Sequence, residues 1–204
     1  MTETGAVPNH HAHHQSFSGP AGLIAALSMA VGRESDARLA ARLGHLGPGD
    51  AVVDIGCGPG VAARHAAHLG ASVTGVDPAP IMLRVARLLS RRVPDLHYLQ
   101  GTAEALPIAD ASATIAWSIA TVHHWIDVDI GLEEARRVLE PSGRLVAIER
   151  QAQPGARGHA SHGWTDAQAE AFADRCREHG FLDPQVDHDT TGRRSTVSVT
   201  ATKP

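Results

Sequence analysis

Three groups of residues in this chain are spaced for chemistry. The first is the run Val52-Val53-Asp54-Ile55-Gly56-Cys57-Gly58-Pro59-Gly60, in which an apolar stretch ends in an acid and then a Gly-x-Gly-x-Gly turn. Glycines there remove side chains, so the backbone can close on a small ligand. The second is Asp77, 21 residues after Gly56. A carboxylate at that point can accept from both hydroxyls of a ribose. The third is the pair His123-His124, with Glu149 further along. A neutral imidazole takes a proton from a hydroxyl or an ammonium near pH 7.

These residues need a frame that brings strand ends together, and the pattern around them supplies one. Short apolar runs at 51–55, 72–76, 96–100, 113–117 and 144–149 read as strands. Between them, helices are predicted over 61–69 (closed by Gly70), 80–90 (with Pro80 in its first turn) and 129–139. Met82, Val85 and Leu89 share one face of the second, and Leu132, Ala135 and Leu139 one face of the third. Pro141-Ser142-Gly143 reads as a turn. Shorter helices are predicted over 21–30 and 35–43, the latter ending at Gly44. A helix over 165–179 takes Thr165 as its N-cap and ends at Gly180. Strands at 185–190 and 195–201 flank a Thr191-Gly192-Arg193 turn. Strands alternating with helices argue an α/β, Rossmann-like doubly wound sheet. It has seven strands, mostly parallel, closed by a C-terminal antiparallel hairpin strand. His123, His124 and Glu149 then fall at the carboxyl ends of strands, where ligands bind in such sheets.

The glycine spacing separates two ligand classes. A dinucleotide fingerprint needs Gly-x-Gly-x-x-Gly. Counted from Gly56 it fails at Val61, and counted from Gly58 it meets only Ala63, two residues late after the strand. Asp54 would repel a pyrophosphate but suits a positively charged amino group. The run resembles motif I of the class I S-adenosylmethionine (SAM) methyltransferases. Gly75-Val76-Asp77-Pro78-Ala79-Pro80 resembles motif II, and Gln100-Gly101-Thr102-Ala103-Glu104-Ala105-Leu106-Pro107 resembles the segment that walls the adenine. Ala113-Thr114-Ile115-Ala116-Trp117-Ser118, followed by His123-His124-Trp125, resembles the strand-four motif. The stretch from Glu134 through Pro141-Ser142-Gly143 to Leu145 resembles the element before motif III. Over roughly residues 48 to 150 the chain is similar to the type 11 methyltransferase family, whose relatives include quinone-biosynthesis and small-metabolite methyltransferases.

That resemblance implies a cofactor, SAM, and a product, S-adenosylhomocysteine. It implies that the backbone of Gly56, Gly58 and Gly60 lines the methionyl and ribose parts, with Cys57 inside the loop. Asp54 would face the amino group, Asp77 the ribose hydroxyls, and Pro78 the adenine. Ala103 would offer backbone contacts to the adenine edge, with Thr102 and Glu104 on either side. Trp117 and Ser118 would lie beneath the methionyl chain. Thr102 departs from the family, which often has an acid there. The implied reaction is in-line methyl transfer to a small-molecule acceptor, with His123 or His124 as the catalytic candidates. The acceptor pocket is expected from residues 17–32, 123–125 and 151–164, where His159, His162 and Trp164 border it.

His10, His11, His13 and His14 cluster near the start, beside Phe17. They are open to three readings: solvated or locally structural, part of a lid over the site, or metal-binding. No metal ligand is assigned. Residues 1–46 read as a lid or helical segment, 48–150 as the SAM-binding core and 151–204 as the substrate side of one single domain.

Composition agrees with a small-molecule enzyme. A net charge of −4 gives no nucleic-acid footprint, and 3% aromatic content leaves little for base stacking. Arg84, Arg87, Arg91 and Arg92 read as a solvated helix face. Cys57 and Cys176 form neither a disulfide framework nor a zinc spacing. The apolar run 20–32 lacks the basic residues a signal peptide needs and is too short to span a bilayer. A cytoplasmic protein with no membrane partner is expected. Two alternatives are weighed: an NAD(P)-dependent oxidoreductase on the same fold, and a non-catalytic SAM-binding protein. Against the first, Tyr98 is the only tyrosine, so no Tyr-x-x-x-Lys-like pair is present.

Overall fold

A computed structural model describes residues 7–12, 34–190 and 195–204. The predicted helix 21–30, the turn 191–193, Phe17, His13 and His14 lie outside the described residues.

Seven strands form one sheet: β1 (Ala51–Ile55), β2 (Ser72–Asp77), β3 (Leu96–Gln100), β4 (Ala113–Ile119), β5 (Leu139–Arg150), β6 (Leu182–Asp189) and β7 (Thr196–Thr202). Their spatial order is β3-β2-β1-β4-β5-β7-β6. The first five are parallel, and β7 runs antiparallel to both β5 and β6. The predicted sheet is therefore the observed one. Among the described residues five α-helices accompany it: α1 (Glu34–Leu43), α2 (Val61–His68), α3 (Pro80–Leu89), α4 (Val128–Val138) and α5 (Asp166–Glu178).

Strand residues alternate between two cores, as period-two geometry requires. Ile115, Trp117, Val146 and Ile148 point to one face, where α1, α2 and α3 contribute Leu39, Ala40, Ala63, Ala66, Leu83 and Ala86. Ala116, Leu145 and Ala147 point to the other, against Leu132 and Ala135 of α4 and Phe172 and Cys176 of α5. Both faces are covered, which explains why the central strands read as continuous apolar runs.

The helix ends follow local chemistry. Asp127 caps α4 by accepting from the Asp129 and Ile130 amides at 2.9 and 3.2 Å. Thr165, the predicted N-cap, forms with Gln168 a reciprocal capping box that starts α5. Tight packing falls on one α4 glycine. A Cβ on Gly131 would sit 2.4 Å from the Trp125 ring. Gly131→Ala is therefore expected to lose about 1–3 kcal/mol in a denaturant melt, despite alanine's better helix propensity.

Several boundaries move. The turn Pro141-Ser142-Gly143 lies inside β5, because the Ser142 amide donates to the Lys203 carbonyl (3.0 Å) and the Lys203 amide to that of Gly143 (2.8 Å). The C-terminal backbone thus carries the pairing through the turn. The irregularity survives as a register shift between Ala113 and Ile115 and as a left-handed Ser142 (φ 64°). Leu139 consequently opens β5 instead of closing α4. Leu89 of α3 is 45% exposed, because Met82, Leu83, Val85 and Ala86 form the buried face one turn earlier. Strand β6 starts at Leu182, earlier than predicted, through an irregular start at Asp183 and Pro184. Proline tolerates that position because β6 is an edge strand. Among the described residues, no helix is long and apolar enough to cross a membrane.

Candidate active site

The strand order reverses between β1 and β4, and the crevice beyond their carboxyl ends is where an open α/β sheet binds ligands. Gly56, Gly58 and Gly60 lie there, with φ of 74°, 52° and 75°. All three are left-handed, a region that costs a side-chain-bearing residue energy. Their neighbours differ. A Cβ on Gly58 would meet nothing within 4 Å, so this backbone faces open space. A Cβ on Gly56 would collide with the Thr121 side chain at 2.6 Å, and one on Gly60 with the Tyr98 hydroxyl at 2.1 Å. Two of the three glycines are thus demanded by the protein's own packing. Cys57 is buried against Gly75 and Tyr98 and acts as core filler; burial pushes its thiol well above the usual range.

Two carboxylates flank the loop. Asp54 is 2% exposed and pairs in register with Trp117. Among the described residues its Oδ2 has no hydrogen-bond partner, and neither has Trp117 Nε1. Burial pushes the Asp54 carboxyl up to about 7, opposed by the nearby Trp117 indole and Ala63 amide and reinforced by Asp77. A buried carboxylate with one unpartnered oxygen beside an open loop fits a ligand that brings a cation. Asp77 Oδ2 accepts from the Gly58 amide (2.8 Å) and Oδ1 from the Ala79 amide (2.9 Å). Burial raises its carboxyl and these two donors pull it back. Each oxygen keeps acceptor capacity for a hydroxyl.

Ligand-free Asp54 has a consequence for stability. At low pH both states hold the proton. Between the ordinary carboxylate range and about pH 7 the unfolded chain has lost it and the folded chain has not. Stability therefore falls as pH rises through that window, and the whole penalty stands above it. Asp54→Asn is expected to raise the melting temperature at pH 8 by about 5 °C and to leave it nearly unchanged at pH 4. Calorimetric scans at both pH values check this.

The remaining predicted cofactor residues are dispersed. Pro78 is exposed at the mouth, and its carbonyl accepts from Gln100. Thr102 bridges to Ala105 in a tight turn that buries Ala103. Glu104 Oε1 accepts from the Ile126 and Asp127 amides (2.7 and 3.3 Å), so its carboxylate organises the approach to α4. Trp117 and Ser118 are fully buried on β4.

Just past β4 a short 3-10 turn, Val122–His124, carries the histidine pair. His123 is 3% exposed; its Nδ1 lies 2.8 Å from Oε2 of Glu149, which is fully buried. The other Glu149 oxygen accepts from the His123 amide at 3.3 Å. Half-buried His124 is pushed down to about 4 by burial and by neighbouring His123. It is therefore a neutral imidazole at pH 7.

Two further histidine-bearing segments meet this turn. The loop after β5 folds back so that the Trp164 amide donates to the Arg150 carbonyl (2.9 Å). Only glycine fits at 163, where a Cβ would sit 2.0 Å from that carbonyl oxygen. This closure brings the His162 ring within 5.5 Å of both His123 and His124. Residues 7–12 lie across the cluster. The His11 amide donates to the His123 carbonyl (2.8 Å), and Trp164 Nε1 donates to that of Pro8 (2.8 Å). The His10 and His11 rings stand 6.0 and 5.8 Å from that of His123. The side chain of His159 lies outside the described residues.

Sequence reasoning missed Thr121. Its hydroxyl donates to the Ile55 carbonyl (3.0 Å) and pairs with Ser118 (2.5 Å), and its carbons cover Gly56. Thr121 thus joins the glycine loop to the histidine turn. Its place two residues before His123 was the available signal.

Comparison with known proteins decides between ligand classes. A family model described as a methyltransferase domain matches residues 53–147, the stretch holding the glycine loop, Asp77 and the histidine pair. Residues 53–147 thus form a domain that matches that family. It is 36% identical over 146 residues to a malonyl-[acyl-carrier protein] O-methyltransferase of Serratia marcescens, covering 72% of this chain and 55% of that one. It is 35% identical over 101 residues to a demethylmenaquinone methyltransferase of Tropheryma whipplei, covering 50% of this chain and 42% of that one. The chain spans about half the length of these curated relatives. The fold matches a crystal structure of a SAM-dependent methyltransferase from Aquifex aeolicus with a TM-score of 0.75 at 16% identity, over 89% of this chain and 98% of that one. The methyltransferase family displaces the dinucleotide alternative at this loop.

Proposed function

We propose that this methyltransferase carries a methyl group from SAM to a small-molecule acceptor held between the glycine loop and the histidine turn. The observation that carries the reading is Asp54, a buried carboxylate with an unpartnered oxygen at the foot of a loop whose Gly58 faces open space. When bound, SAM supplies a methyl group on a positively charged sulfur, activated for in-line displacement.

The chain's residues then have separable tasks. Asp54 balances the amino group of the methionyl part, and that cation stabilises the charged carboxylate in return. Asp77, anchored by two amides, accepts from the ribose hydroxyls with its remaining capacity. Exposed Pro78 and buried Ala103 wall the adenine, and Ser118 and Trp117 floor the methionyl side. Most of the rate comes from alignment and water exclusion, where orientation alone is worth roughly 7–11 kcal/mol. His124, neutral at pH 7, takes the acceptor's proton where the acceptor carries one. The turn of residues 7–12 excludes water from the acceptor side, which favours the lid reading of the N-terminal histidines. By their names one relative methylates an oxygen of a malonyl group carried on a protein and the other methylates demethylmenaquinone, so carboxylates and quinone-type rings are the first acceptors to try.

Titrating the protein calorimetrically with SAM, S-adenosylhomocysteine and NAD(P)H tests the cofactor. Micromolar binding of the two sulfur ligands alone is expected, and nicotinamide binding would overturn the reading. Once an acceptor is found that must lose a proton, His124→Ala should slow its methylation about 100-fold or more with SAM affinity unchanged.

A further inference from the structure

Catalysis by one neutral imidazole does not explain why so many histidines converge here. The His123 and His124 ring centroids are 4.1 Å apart, and each is 5.5 Å from that of His162. One ring nitrogen from each of the three lies within 4.8 Å of the other two. His162 reaches this place only because the chain reverses at Gly163 and locks to β5. His123 is oriented from behind by Glu149, itself completely buried. With Nδ1 donating to that carboxylate, Nε2 carries the lone pair. A carboxylate behind an imidazole is the arrangement that fixes and strengthens a histidine as a metal ligand.

We propose that His123, His124 and His162 bind a divalent transition-metal ion, zinc being the best match, through one ring nitrogen each. Three imidazoles suit zinc and its neighbours, while the absence of a carboxylate oxygen from the triad argues against magnesium or calcium. Tetrahedral coordination at about 2.0–2.1 Å places ligand nitrogens about 3.4 Å apart. From the 4.8 Å limit the triad must close by up to about 1.4 Å, a travel that would fall mainly to His162 on its loop. Three histidine ligands leave a fourth position open. Thr121 ties this turn to the glycine loop, so the open position would take an anionic oxygen or sulfur of the acceptor. That last role rests on the methyl-transfer reading, and with the ion bound it replaces proton uptake by His124, whose lone pair the ion then holds; the metal site itself does not rest on that reading.

The test uses the full chain, stripped with a chelator and titrated with Co²⁺ while its visible absorption is read. Zn²⁺ uptake is counted by equilibrium dialysis. One equivalent per chain is expected, with absorption of tetrahedral intensity that Zn²⁺ abolishes. His162→Ala and His124→Ala should each weaken binding at least about tenfold, and Glu149→Gln about 10–100-fold. His162→Gln, with its melting curve, controls for loss of the loop fold. The proposal is overturned if binding survives His162→Ala and His162→Gln unchanged. It is equally overturned if binding disappears only when His10, His11, His13 and His14 are replaced together, which would assign the metal to the N-terminal imidazoles. SAM titration in the presence of chelator is scored separately. SAM binding without cobalt binding sinks the metal site and spares the methyltransferase reading, and the reverse result does the opposite.

Discussion

Replacing Asp77 with alanine is expected to weaken SAM binding by at least about 100-fold, with S-adenosylhomocysteine affected equally. The carboxylate does two jobs at once. It accepts from the Gly58 and Ala79 amides at 2.8 and 2.9 Å, holding the open glycine and the start of α3 in place. On the proposed reading it also offers the remaining capacity of both oxygens to a ribose. Hydrogen bonds to a charged group are worth about 1.5–3 kcal/mol each, and 100-fold is about 2.7 kcal/mol, so losing two suffices. Asp77→Asn separates the jobs. Its amide oxygen still accepts from one backbone donor, but its NH₂ faces the other, so binding should fall less than in Asp77→Ala while the melting temperature drops. Calorimetry with both sulfur ligands reads the result. Affinity within threefold of wild type in Asp77→Ala would remove this residue from the cofactor site.

The sheet was legible because its central strands are buried on both faces. Each apolar run is closed by a residue that cannot continue it: Gly56 after β1, Asp77 at the end of β2, Gly101 after β3. The start of α5 was legible because Thr165 and Gln168 form a local motif. The Pro141-Gly143 turn was misplaced because its backbone partner, Lys203, lies at the other end of the chain. The same limit governs the site. Asp54, Gly56 and Gly58 are near neighbours in sequence and Asp77 ends the adjacent strand, so spacing was enough to set them at one edge of the sheet. Glu149 behind His123 was visible only as an acid at the right sheet edge. The meeting of residues 10–11, 123–124 and 162 had no local signal, since it depends on a loop closure at Gly163 and a docked N-terminal turn. Two of the motif's glycines also carried a hidden reason, because Thr121 and Tyr98 fill the space their side chains would need.

Trp164 is the anchor on which that docked turn depends, and Trp164→Ala is expected to cost about 3–5 kcal/mol in a denaturant melt. The side chain is completely buried, with its ring centroid 4.9 Å from that of Phe172, and its Nε1 donates to the Pro8 carbonyl. Trp164→Phe separates packing from tethering. Phenylalanine keeps an aromatic ring against Phe172 and loses the bond to Pro8, so global stability should fall by only about 1–2 kcal/mol. The effect on residues 7–12 should be larger in proportion. They are held by the Pro8 contact, by Gln168 on the Val7 carbonyl, by Asn9 on the Trp125 and Ile126 carbonyls, and by the His11 amide on that of His123. Hydrogen exchange at the His11 amide should therefore speed up about 5–10-fold in Trp164→Phe, while amides in the middle of β4 slow-exchange as before. An unchanged His11 rate would mean that Asn9 and Gln168 hold the turn without the indole. A faster rate, with acceptor turnover altered and SAM affinity intact, would make the turn a cover for the acceptor side alone.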